Sequence, residues 1–109
     1  MPYNEELAER LRPILAGTGS FDEKTMFGGV GFLFNGNMCC GIYKEYLILR
    51  LGPELAEQAL ALEHVKVFDI TGRAMKGWVM VSPAGYQDDF FVREWVQKSI
   101  DFCLTLPPK

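Results

Sequence analysis

Asn35-Gly36 stands between two apolar runs, 26–34 and 38–43. A two-residue type I′ turn needs positive φ at both central positions, which Asn and Gly tolerate, so the dipeptide predicts a tight β-hairpin. The first arm carries Gly28, Gly29 and Gly31, residues that give a strand no packing surface and cost it backbone entropy. Glycines in such a place point to close approach, with a helix or another backbone lying against the strand. Residues 24–34 read as one extended strand, with Met26, Val30, Phe32 and Phe34 on one side and Phe27 and Leu33 on the other.

The flanking sequence supplies helices and more strands. Asn4 is suited to cap a first helix, with Glu5 and Glu6 in its opening turn. Leu7, Leu11, Ile14 and Leu15 form its apolar stripe, Pro13 predicts a kink or break, and Gly17 a stop. After the hairpin, Lys44-Glu45 turns the chain into a third strand over 46–51. Gly52-Pro53-Glu54 opens a short helix through Ala61, with Leu55, Ala59 and Leu62 on its apolar face. A fourth strand is expected over 65–70, a turn at Thr71-Gly72, and a fifth strand over 76–81. Asp88 then caps a last helix whose Phe91, Val92, Trp95, Val96, Ser99, Ile100 and Cys103 make one broad stripe. The sum is a single α+β domain over residues 1–109: an antiparallel sheet of about five strands with three helices, in the order α-β-β-β-α-β-β-α.

Motifs for chemistry fail on inspection. Gly31 to Gly36 and Gly72 to Gly77 have P-loop glycine spacing, but neither is followed by the Lys-Ser/Thr pair that holds phosphate and magnesium. Gly29 and Gly31 are followed by Phe34 where a dinucleotide fingerprint needs its third glycine. His64 is the one histidine, and Ser82 and Asp69 are its only notional triad partners. The three cysteines lack Cys-x-x-Cys spacing and are expected as reduced thiols. Alternation along a strand sends Cys39 and Cys40 to opposite faces, away from any shared metal. No catalytic residue, cofactor or metal is therefore assigned, and the chain is read as something other than an enzyme.

Eleven basic against fourteen acidic residues give a net charge of −3, which disfavours nucleic-acid binding driven by counterion release unless a local patch provides it. No apolar run reaches the ~20 residues of a membrane span, and the acidic start has no secretory pattern, so a cytoplasmic protein is expected. Lys24, Arg73 and Lys76 flank the glycine-rich strand and its expected neighbour. If those two strands pair, the three cations define an anion-binding edge with Trp78 as a stacking surface; a solvated rim is the ordinary alternative.

Residues 24–37, above all Met26-Phe27-Gly28-Gly29-Val30-Gly31-Phe32 with Asn35-Gly36, together with Met75-Lys76-Gly77-Trp78-Val79 and Trp95, resemble the N-terminal domain of the TfoX/Sxy family of bacterial competence regulators. The resemblance implies a sheet related to YjbR-like folds, and a stand-alone domain without the C-terminal domain of those regulators. Full-length relatives are transcriptional co-regulators of DNA-uptake genes that act with a cyclic-AMP-dependent activator. The expected function is that of a small regulatory interaction module with a protein partner or a second copy of itself. Its binding residues are Lys24, Met26, Phe27, Gly28, Gly29, Arg73, Lys76 and Trp78. The alternatives are direct DNA contact through Lys24, Arg73 and Lys76, or small-ligand binding beside the glycines.

Overall fold

The computed structural model describes residues 4–26, 28–69 and 75–108. In chain order these form helix α1 (Glu5–Thr18), strands β1 (Asp22–Met26), β2 (Gly29–Phe34), β3 (Asn37–Tyr43) and β4 (Tyr46–Arg50), helix α2 (Pro53–Ala59), strands β5 (Val65–Val67) and β6 (Trp78–Val81), a 3-10 turn (Pro83–Tyr86) and helix α3 (Asp89–Leu104). The strands make one antiparallel sheet in the order β1-β2-β3-β4-β6-β5. This is the expected α+β order, with six strands in place of five.

The extra strand comes from Gly28. Its φ of 75° turns the chain where one continuous strand was expected, so Asp22–Met26 folds back on Gly29–Phe34 with Met26 opposite Gly29 and Lys24 opposite Gly31. Asn35 and Gly36, at φ 54° and 83°, make the second hairpin as predicted. Gly29 has a different use: a Cβ there would run into the main-chain carbonyl of Ile42 in β3. The close approach inferred for this glycine is to the neighbouring strand.

Both long helices begin as the sequence predicts. Asn4 accepts a hydrogen bond from the Leu7 N–H at 3.1 Å, and Asp88 accepts one from the Phe90 N–H at 3.0 Å. Helix α1 passes through Pro13 and ends at Thr18; Pro13 lies on the exposed side, where water can serve the Glu9 carbonyl that proline leaves without a donor. Helix α2 ends at Ala59, short of the predicted Ala61, and β5 stops at Val67. Thr71 and Gly72 lie outside the described residues.

All three helices contribute to one core. Leu7, Leu11 and Leu15 of α1, Ala56 and Ala59 of α2, and Val92, Val96, Ile100 and Cys103 of α3 pack on Val30, Phe32, Ile42, Leu47, Leu49, Val79 and Val81. These sheet residues alternate along their strands, so the helices cover a single face. Tyr86 fastens the layers at one end. Its hydroxyl donates to the Glu45 carbonyl at 2.6 Å and accepts from Asn4 Nδ2 at 3.3 Å, while Arg10 donates to the Tyr86 carbonyl and to Asp89. Ser99 is buried in α3 and its hydroxyl has no partner among the described residues.

Gly29→Ala is expected to lower stability by about 2 kcal/mol or more, because the obstacle is backbone and cannot rotate away. Ser99→Ala should leave stability unchanged or raise it by up to about 1 kcal/mol, since it removes an unmade hydrogen bond. Urea unfolding midpoints of the two variants check both.

Candidate functional site

The helix-free face of the sheet has a regular composition set by the register. One row crosses all six strands: Lys24 opposite Gly31, Gly31 opposite Gly41, Gly41 opposite Ile48, Ile48 opposite Met80, and Met80 opposite Lys66. Beside it on one flank Gly29, Tyr43 and Tyr46 are paired in turn. On the other flank Leu33 is paired with Met38, and Arg50 with Trp78. Ile48, Met80 and Phe68 are buried in a small second cluster, against which Tyr43, Tyr46, Met75 and Trp78 pack partly exposed. The Phe68 and Trp78 ring centroids are 5.7 Å apart.

Three cations on this face lie over rings. Lys44 Nζ is 5.4 Å from the Tyr43 centroid, the Arg50 guanidinium is 5.3 Å from that of Trp78, and Lys66 Nζ is 4.5 Å from that of Tyr46. Ion pairs among the described residues are formed elsewhere, by Arg10 with Asp89, Arg12 with Glu23, His64 with Glu63 and Lys98 with Glu94. The Arg12 hydrogen bond holds the Glu23 carboxyl below the usual range. Carboxylates crowd the helices instead: Glu5, Glu6 and Glu9 on α1, Glu54 and Glu57 on α2, Asp89, Glu94 and Asp101 on α3.

The predicted binding residues divide between distant parts of this face. Lys24 is exposed on β1, Gly28 makes the turn and Gly29 begins β2; Trp78 begins β6, and Lys76 is exposed in the turn before it. Strands β2 and β6 do not pair. β3 and β4 lie between them, a separation of about 14 Å at the usual strand spacing, so the expected edge joining Lys24 to Lys76 and Trp78 is not formed. Phe27 and Arg73 lie outside the described residues, as does the Met26 side chain. The structure adds Tyr46, Arg50, Lys66 and Lys44, for which the sequence signal was the alternation Tyr46-Ile48-Arg50 and the single cation in Val65-Lys66-Val67.

The sequence model of the TfoX N-terminal domain matches residues 13–103. The chain belongs to that family. The matched span holds the whole sheet, α2 and nearly all of α3. Comparison with curated proteins gives no match.

Two other constellations in this TfoX N-terminal domain were candidates for chemistry. The Ser82 hydroxyl donates to the backbone carbonyl of His64 at 3.2 Å, not to its imidazole, which faces Glu63. An open groove of about 690 Å³ is lined by Asn4, Arg10, Glu45, Tyr86 and Gln87 among others; Asn4, Arg10 and Tyr86 are already committed to the hydrogen bonds that join the layers.

The cysteines correct the sequence reading. The β2–β3 register shifts between Phe32 and Leu33, so Phe32 faces Cys40, Leu33 faces Met38, and Cys39 is the extra residue of a β-bulge. The bulge cancels the alternation, and Cys39 and Cys40 both enter the helix-side core beside Cys103. Cys103 Sγ lies 3.3 Å from the Asn37 carbonyl. Among the described residues no group of three or more His, Cys, Asp or Glu is arranged to hold a metal. The neighbouring Cys40 thiol and burial push the Cys39 thiol far up, and burial pushes up that of Cys103.

Raised thiol pKa values favour the protonated form in the native state, while the unfolded chain ionises near pH 8.5. Above that pH the unfolded state binds fewer protons than the native one, so stability is expected to fall by about 1.4 kcal/mol per pH unit for each such thiol. Urea unfolding from pH 7 to 10 under reducing conditions checks this. Cys39→Ala/Cys103→Ala should flatten the alkaline slope.

Proposed function

We propose that this TfoX N-terminal domain is a small regulatory interaction module whose working surface is the helix-free face of its sheet, and that its partner presents negative charge there. The observation that carries the reading is the separation of charge. Lys24, Lys44, Arg50, Lys66 and Lys76 belong to the strands and turns of the sheet, while eight of the fourteen acids sit on the helices. Of the carboxylates in the strands and turns, Glu23 is paired with Arg12 of α1, Glu45 lines the groove beside Asn4 and Arg10, and Glu63 faces His64, which leaves Asp22 and Asp69 near these cations. Cations left over aromatic rings keep their charge available to an incoming anion.

A symmetric dimer through this face would set like charges opposite one another, since a two-fold interface presents the same patch twice. An anionic partner avoids that repulsion. The competence regulators that the sequence resembles act in transcription, and a cytoplasmic co-regulator built on this face is the form of the proposal that agrees with them. Among the described residues no helix is long and apolar enough to cross a membrane.

The test is retention on a sulfonate or heparin matrix at neutral pH. A chain of net charge −3 with evenly mixed surface charge passes through; this one is expected to be retained at low salt and released as salt rises. Lys24→Glu/Lys66→Glu should pass through while keeping its unfolding midpoint, because both side chains are exposed. Flow-through of the unmodified protein, or equal retention of the variant, would remove the reading.

A further inference from the structure

We infer that the helix-free face binds single-stranded nucleic acid, with bases stacked on its aromatic side chains and the backbone held by the cations around them. The inference rests on the reading of this face given above and adds the chemistry of the occupant.

Three observations choose it over other anions. The first is the ring supply. Tyr43 and Tyr46 on one flank and Trp78 on the other are partly exposed, and Tyr46 and Arg50, the residue paired with Trp78, are four positions apart on β4, about 13 Å at the rise of a strand. Two stacking stations at that spacing on an antiparallel sheet suit unpaired bases with one nucleotide between them on an extended strand, since every base presents a flat π-face whatever its identity.

The second is where the cations lie. Lys24 and Lys66 end the row that crosses the sheet, their backbones about 24 Å apart over five strand spacings. The Lys66 ammonium reaches back over Tyr46, while Lys44 and Arg50 sit on the two flanks over Tyr43 and Trp78. A chain of phosphates laid across the strands meets positive charge at its ends and on both sides. Arg50 can also stack on a base while remaining against Trp78, because its guanidinium is planar and weakly hydrated.

The third is the floor between the stations. Gly31 and Gly41 lie side by side in the central row, both buried, and the Met38 methyl reaches over Gly41, so the floor between Lys24 and Ile48 is an apolar surface that suits the flat face of a base. A duplex keeps its bases stacked inside and offers this face phosphates alone. An acidic peptide offers charge without the flat faces that the rings would use.

Fluorescence anisotropy of labelled oligothymidylate with the full chain tests the inference. Binding is expected at low salt and should weaken about 18-fold between roughly 50 and 200 mM salt, the loss for about three neutralised phosphates at a slope of about −0.7 each on a single strand. Tyr46→Ala and Trp78→Ala should each weaken binding by about tenfold. Lys24→Glu/Lys66→Glu, which leaves the core untouched, should abolish it. A duplex of the same length should bind more weakly, and polyglutamate should not displace the oligonucleotide at equal charge. No anisotropy change at low salt, a duplex bound as tightly as the single strand, or displacement by polyglutamate would overturn the inference. If the chain is retained on the anionic matrix but ignores the oligonucleotide, the anionic-partner reading survives and this one is lost; loss of both signals removes both.

Discussion

Three helices press on the same side of one six-stranded sheet, and the opposite side has to manage without them. Burying apolar surface is the main favourable contribution to a domain of this size, and the helix side takes nearly all of it: Leu7, Leu11, Leu15, Phe32, Leu47, Leu49, Val96 and Ile100 are shut from water. The other side closes what it can with its own side chains. Ile48, Met80 and Phe68 are covered by Tyr43, Tyr46, Met75 and Trp78, and Lys44, Arg50 and Lys66 lie over three of those rings. Long cationic side chains suit that position because their stems cover apolar surface while their heads remain in water. The same arrangement that tidies an uncovered sheet leaves charge and aromatic surface in one place.

Local chemistry was readable wherever a feature depends on a few adjacent residues. Asn35-Gly36 dictates its turn by tolerating positive φ, Asn4 and Asp88 satisfy orphan helix donors, and the stripe on α3 follows from a 3.6-residue period. Gly28 was visible as a glycine but not as a turn, because the run on either side of it is uniformly compatible with a strand and only the pairing of Met26 with Gly29 shows the reversal. The cysteines show a different limit. Alternation predicts opposite faces for Cys39 and Cys40, and a single unpaired residue in β3 cancels it; nothing in Met38-Cys39-Cys40-Gly41 marks which residue is the extra one.

Sheet order was the larger gap, and it governed the site. Hairpins place β1, β2, β3 and β4 side by side through short connections, but β6 reaches β4 only after α2 and β5, and it pairs inside β5. No local pattern specifies that choice. An anion-binding edge built from Lys24, Lys76 and Trp78 assumed that β6 lies next to β2, and the two intervening strands separate them. What replaces the edge is a face. Lys24 and Trp78 share it without touching, Tyr46 and Arg50 on β4 lie between them, and Lys66 on β5 lies beyond Trp78.

Net charge misleads for a related reason. A value of −3 describes the chain at distances where the whole protein acts as one ion, but at physiological salt exposed charges are screened beyond about 8 Å. A sheet and the helices behind it place their outer surfaces farther apart than that, since packed layers alone are about 10 Å from centre to centre. Carboxylates on α1, α2 and α3 therefore do little to cancel the lysines on the far side of the sheet, and an approaching anion meets the side it touches. Averaging over the sequence removes the very distinction that folding creates, because all three helices carry acids and all three lie behind the same face.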